Sequence, residues 1–186
     1  MSVEDFEALP QRVFLDSCTL QTLRDYGYFI WEGELIAADD QIHAIPDGLA
    51  NVEALRSIFD INERAPFEWI LSEGSLDEAF DKRDPGHLQW AYDVLDHTLA
   101  CLEESGGPTV QAESLAQVVM STRFEYLSAK DRRLIHDAVR LGCDAFLTME
   151  RRLPRNSEHL ERELGLRVLR PCEHWALLQP WASLYK

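Results

Sequence analysis

Val13-Phe14-Leu15-Asp16-Ser17 is the stretch on which the fold of this chain turns. Three apolar residues run into a carboxylate and then into the polar Ser17-Cys18-Thr19. A run of this kind reads as a short buried strand with an acid at its C-terminal end. Ala145-Phe146-Leu147-Thr148-Met149 repeats the pattern near the other end of the chain and leads into Glu150. Two such strands put carboxylates at the C-terminal edge of a sheet, where open α/β folds bind their ligands.

Working outward, strands expected over 12–16, 67–71, 145–149 and 167–169 are separated by helical segments. Helices are expected from Ser17 to Tyr26, ended by Gly27, and from Asn51 to Ile61, with the break at Pro66. A helix beginning at Leu76 is expected to be capped by Ser75. Another runs from Leu88 to about Glu103 on the spacing of Ala91, Leu95, Leu99 and Leu102. Ser128 caps a helix reaching about Leu141, ended by Gly142. A last helix spans Ser157 to Leu164, ended by Gly165. Residues 28–36 are aromatic, β-branched and interrupted by Glu32-Gly33, which predicts an extended segment or small hairpin. Residues 39–48 and 105–108 read as loops, and 109–127 fits either helix or strand. Strand–helix alternation predicts a three-layer α/β/α domain around a mostly parallel sheet of four to five strands. The 186 residues suit one domain, with 171–186 as a C-terminal tail.

Composition narrows the function. No apolar run approaches the roughly 18 residues of a membrane helix, and the acidic start (Glu4, Asp5, Glu7) lacks a signal-peptide layout, so a cytoplasmic protein without membrane contact is expected. Cys18, Cys101, Cys143 and Cys172 form no C-x-x-C pair, which argues against zinc and against a disulfide framework. The net charge of -15 is lopsided: residues 1–120 hold 6 Lys/Arg against 24 Asp/Glu, and residues 121–186 hold 12 against 9. That total argues against broad nonspecific nucleic-acid binding. The basic groups Lys130, Arg132, Arg133 and Arg151, Arg152, Arg155 lie beside acidic candidates, and a basic rim around an acidic centre suits a phosphodiester. No Walker loop, nucleophile elbow or Rossmann fingerprint occurs.

At four places the residues resemble the PIN-domain nucleases. Val13 to Ser17 looks like the family's first strand and first acid. Ser72 followed by Glu78 is similar to its second-strand serine and helix-borne acid. Ser128-Ala129-Lys130-Asp131 opening Leu134-Ile135-His136-Asp137-Ala138 resembles the helix of the third acid. Phe146 to Leu153 resembles the strand-end motif Thr-x-Asp, with Gly165 to Pro171 fitting the final strand. Residues 27–66 have no counterpart and look like an insertion. The resemblance implies endonucleolytic cleavage of RNA by metal-activated water. Asp16, Glu78, Asp131 and Glu150 would be the catalytic acids, with Asp16, Asp131 and Glu150 on Mg²⁺ or Mn²⁺. Ser17 and Thr148 would orient the carboxylates, and Arg132, Arg133, Arg151 and Arg152 would hold substrate phosphates. Magnesium takes hard oxygen ligands and few carboxylates directly, and clustered acids repel one another until a cation joins them.

Each acid also has a structural alternative. Asp16 fits a helix cap. Asp131 after Ser128 and Glu78 after Ser75 fit capping boxes equally well, and Asp77 and Glu73 compete with Glu78. Glu150 stands where the family usually has aspartate and is one methylene longer. This departure and the acidic first 120 residues favour a second reading, a weakly catalytic or inactive binding or scaffold module. A third is the toxin half of a toxin–antitoxin pair. RNA is the expected partner; an antitoxin, another protein or a second copy of the chain is compatible with the sequence. Among the histidines, His136 and His174 fall nearest the acids. Asp144 reads as a turn residue, and Trp175, Trp181 and Tyr185 read as packing of the tail.

Overall fold

The computed structural model describes residues 6–65, 67–79 and 88–184. Four parallel strands, β1 (Arg12–Leu15), β2 (Glu68–Ile70), β3 (Ala145–Leu147) and β4 (Arg167–Leu169), lie in the order β2-β1-β3-β4. Their register sets Phe14 opposite both Ile70 and Phe146, and Phe146 opposite Val168. Successive side chains of a strand point to opposite faces, so each strand feeds two cores. Val13, Leu15, Trp69, Ala145 and Leu147 enter one, while Phe14, Ile70, Phe146 and Val168 enter the other. A sheet buried on both faces explains the unbroken apolar runs.

The first layer holds α1 (Ser17–Asp25), α2 (Gly27–Glu32), α3 (Gly48–Asn62), α5 (Leu88–Glu104) and α9 (Pro171–Leu178). The second holds α6 (Val110–Val119), α7 (Ala129–Arg140) and α8 (Ser157–Leu164). The short α4 (Glu73–Ala79) packs on α1 and touches α7. Phe14 and Phe146 stack at 5.3 Å in the second core, and each fully buried side chain of this size contributes about 1.5–3 kcal/mol. The architecture is the expected three-layer α/β/α, with four strands.

Three local expectations are corrected and one left open is resolved. Residues 28–36 form no hairpin: 27–32 are helical and pack on α3, with Ile30 buried, Phe29 under the Arg56 guanidinium and Trp31 edge-on to Phe59. Gly27 opens that helix instead of ending α1, whose C-cap is Tyr26. The helix expected from Leu76 begins at Glu73, so Ser75 lies inside it, buried, and does not cap it. The ambiguous 109–127 resolve as α6, capped by the Thr109 hydroxyl at Ala112 N–H (3.1 Å), and a 3-10 turn over Thr122–Phe124. The break expected at Pro66, and Tyr185 of the tail, lie outside the described residues.

Residues 27–62 and the tail are integral to the first core. Ile58, Leu55 and Val52 of α3 are fully buried beside Leu178 and Ala182. Asn51 stitches the two: its Nδ2 donates to Asp47 O (2.8 Å), and its Oδ1 accepts from Cys172 N–H (3.1 Å). Trp181 packs edge-on against Phe6 at 5.1 Å. Asn51→Ala is expected to cost about 1–3 kcal/mol, because it leaves the part-buried Cys172 N–H without its partner. Urea denaturation measures this; a loss inside the roughly 0.5 kcal/mol scatter of surface substitutions would show that α3 and α9 are held by apolar packing alone.

Candidate functional site

In the order β2-β1-β3-β4 the connection leaving β1 goes to one side and that leaving β3 goes to the other. The C-terminal ends of β1 and β3 therefore flank the switch point of the sheet, the place where open α/β folds open a crevice. Asp16 stands at the end of β1 and Thr148 at the end of β3.

Asp16 is 4 % exposed. Its N–H continues the ladder to Leu147 O (3.2 Å). Its Oδ1 accepts the Thr19 N–H at 2.7 Å, capping α1, and its Oδ2 accepts the Thr148 hydroxyl. Thr148 Oγ1 in turn accepts the Glu150 N–H (3.0 Å). The result is a relay, Glu150 N–H to Thr148 O–H to Asp16, whose dipoles all point at the carboxylate. Thr19 locks the other side by donating its hydroxyl to Leu147 O (3.1 Å). Burial pushes the Asp16 carboxyl up to about 6; the bonds from Thr148 and Thr19 pull it down, and the charge of Glu150 adds to the rise.

Glu150 accepts the Cys18 thiol at 3.6 Å. Burial, with the charges of Asp16 and Glu150, pushes that thiol up to about 12. Cys18 therefore stays protonated at neutral pH and serves as a donor, not a nucleophile. The Lys130 charge at the start of α7 acts on the same thiol in the opposite sense. Arg151 and Arg152 are exposed beside Glu150, and Ser17 is buried in the first turn of α1.

Asp131 is engaged otherwise. Its N–H donates to Ser128 Oγ (3.0 Å), the N-cap half of a capping box, but its Oδ2 accepts the Ser128 hydroxyl (2.8 Å) and not the Ser128 backbone N–H. The backbone of Glu78 lies in α4, which touches both α1 and α7, but its side chain lies outside the described residues. Glu73 and Asp77 of the same helix are exposed. Arg133 is exposed and lines a cleft with Ser72, Gly74 and Asp137; the Nε of Arg132 is buried with no hydrogen-bond partner among the described residues. Among the described residues no group of three or more His, Cys, Asp or Glu side chains is arranged to hold a metal ion.

The remaining candidates are structural. Asp144 sits at the opposite edge, where its carboxylate accepts the N–H groups of Gln11 and Arg12 at 3.0–3.1 Å. His174 is fully buried against the rings of Phe67 and Trp69, and burial drops it to about 4. His136 contacts Asp137 at 3.3 Å. Sequence reasoning missed Thr19 and Cys18. The spacing Asp16-x-x-Thr19 is a capping signal that points to Thr19, whereas nothing local links Cys18 to Glu150.

Asp16 makes stability depend on pH in a defined sense. Its folded value lies above the ordinary 3.8, so the folded state holds the extra proton between about pH 4 and pH 6. The associated stability is complete below pH 4 and is lost as pH rises through 6, a change on the order of 3 kcal/mol. In chelator-treated protein, the stability of wild type relative to Asp16→Asn is expected to fall by that order between pH 4 and pH 7.5. A difference that stays flat across this range would show an ordinary carboxylate.

Comparison of the chain with protein-family models, with curated proteins and with solved structures finds no significant match, so its functional reading rests on the residues themselves.

Proposed function

We propose that the chain is a PIN-like, metal-dependent endoribonuclease acting at the β1/β3 switch point. One observation carries the reading: a buried carboxylate, Asp16, is tied through Thr148 to Glu150 at the sheet edge where α/β folds bind ligands. A carboxylate held out of water this way costs free energy unless a proton or a cation compensates it. The donor set suits a hard divalent cation, because Asp16 and Glu150 offer carboxylate oxygens and magnesium takes only one or two directly, keeping waters elsewhere. When bound, Mg²⁺ or Mn²⁺ would lower the pKa of a water and offset charge on the phosphate.

The chain's own residues do the rest. Thr19 and Thr148 fix the plane of the Asp16 carboxylate. The Cys18 thiol donates to Glu150 Oε1 (3.6 Å) and gives the longer side chain a fixed partner on α1. Arg151 and Arg152 face solvent next to Glu150 and would draw a phosphodiester toward the acids.

The Ser128–Asp131 pair favours a second reading, a binding or scaffold module with little catalysis, since it gives this acid a structural task at the start of α7 that needs no metal. Titration with Mn²⁺ by calorimetry separates the two. For the nuclease, wild type binds the ion and cleaves single-stranded RNA, and Asp16→Asn does neither while its circular dichroism stays native. Thr148→Val is expected to weaken metal binding about 10–100-fold. Undiminished cleavage by Asp16→Asn would overturn the proposal.

A further inference from the structure

Beside the acids lies a pocket of about 260 Å³, walled by α1, by the 3-10 turn Gln41–Ala44 with Ile45, and by Met149-Glu150 after β3. We propose that it takes one unpaired base of the RNA strand and prefers bases that carry an exocyclic amino group. The strand's identity as RNA rests on the ribonuclease reading; the pocket does not.

Its size is below the roughly 300–1,000 Å³ of clefts for drug-sized ligands, which suits a single flat ring system. The walls have two characters. Tyr26, Ile42, Ile45 and Met149 offer the aromatic and apolar surface on which a base stacks. Ile45 is 49 % exposed, an apolar side chain left at the rim. The polar lining is rich in acceptors: Asp25 and Glu150 accept and cannot donate when ionised, while Gln21 and Gln41 do both. Adenine, cytosine and guanine each carry an exocyclic N–H₂ donor; uracil carries none and offers only its N3–H, set between two carbonyl oxygens that carboxylates repel. Glu150 belongs both to this pocket and to the Thr148–Asp16 relay, so a base seated here brings its own sugar–phosphate alongside the acids.

The pocket is held open by its own fastenings. Asp40 Oδ1 accepts both the Tyr26 hydroxyl and the Ile42 N–H, each at 2.8 Å, which pins the end of α1 to the 41–44 turn. The turn in turn rests on the start of α3, where a Cβ at Gly48 would lie 2.7 Å from Ile42 O. The segment that follows α1 matches nothing in the nuclease pattern, and here it builds the wall that faces β3.

The test uses the full chain and the four nucleoside monophosphates, followed by methyl NMR of Ile42, Ile45 and Met149. AMP, CMP and GMP are expected to shift these methyls and UMP to bind about tenfold more weakly, the factor of one lost hydrogen bond. Ile45→Asp, a rim change that leaves the core intact, is expected to weaken the three by a similar factor. Asp40→Ala is a positioning change and should broaden the selectivity between bases as well as weaken binding. Methyls that stay still with every nucleotide, or UMP binding as tightly as the rest, would overturn the proposal. The two readings fail separately. Wild type that cleaves RNA with unmoved methyls loses the pocket and keeps the nuclease; shifted methyls without cleavage do the reverse.

Discussion

One carboxylate joins three elements of this fold. Asp16 ends β1, caps α1 through the Thr19 N–H and receives the Thr148 hydroxyl from the end of β3. Because all four strands are parallel, their C-terminal ends emerge together, and whatever the chain places there is concentrated at one edge. The acid at that edge is buried, and the protein keeps it there by supplying two strong donors. Those donors lower the cost of the charge without removing it, since burial still outweighs them.

The opposite edge shows what a purely structural aspartate looks like in the same sheet. Asp144 precedes β3 and spends its carboxylate on the N–H groups of Gln11 and Arg12, the start of β1. Arg12 then reaches Glu68 at 2.9 Å and Leu141 O at 3.2 Å, so the starts of β1 and β2 and the end of α7 are tied by ordinary ion pairs and hydrogen bonds. Such pairs contribute little each. Asp16 differs in its burial. Two aspartates flank strands of one sheet, and solvent access separates their roles.

Much of this is legible in the sequence because it is written in local patterns. The apolar runs at 13–15 and 145–147 are the two central strands, and Ser128 and Gly165 mark helix ends, as their capping chemistry predicts. The aromatic run 28–31 misleads, since bulky residues favour strands on average but here pack as a helix against α3; tertiary burial overrides propensity. Ser75 misleads for a related reason: a serine three residues before an acid imitates a cap, and only the earlier start of α4 exposes it as interior. The Asp16–Thr148–Glu150 relay is half legible. Asp16 and Thr148 each directly follow a strand, but the direction of the hydroxyl that links them depends on registry across 132 residues. The contact of Cys18 with Glu150 has no sequence signal, because it arises from two distant segments meeting in space.

The capping role of Asp16 does not compete with a ligand role. A carboxylate offers about four lone-pair sites, and the two donors that hold Asp16 leave each oxygen with room for another partner. The donors come from the α1 side and the β3 side, so they fix the plane of the group before anything else arrives, which is the condition for a preorganised site. Asp131 shows the contrast: its partner Ser128 is three residues away on the same helix end, and that pair closes on itself. What sets Asp16 apart is that its bonds span elements, so its position is determined by the sheet. Any chemistry at this edge therefore inherits the rigidity of β1 and β3, while the choice of what approaches it falls to the turn of residues 41–44 and the helices beside it.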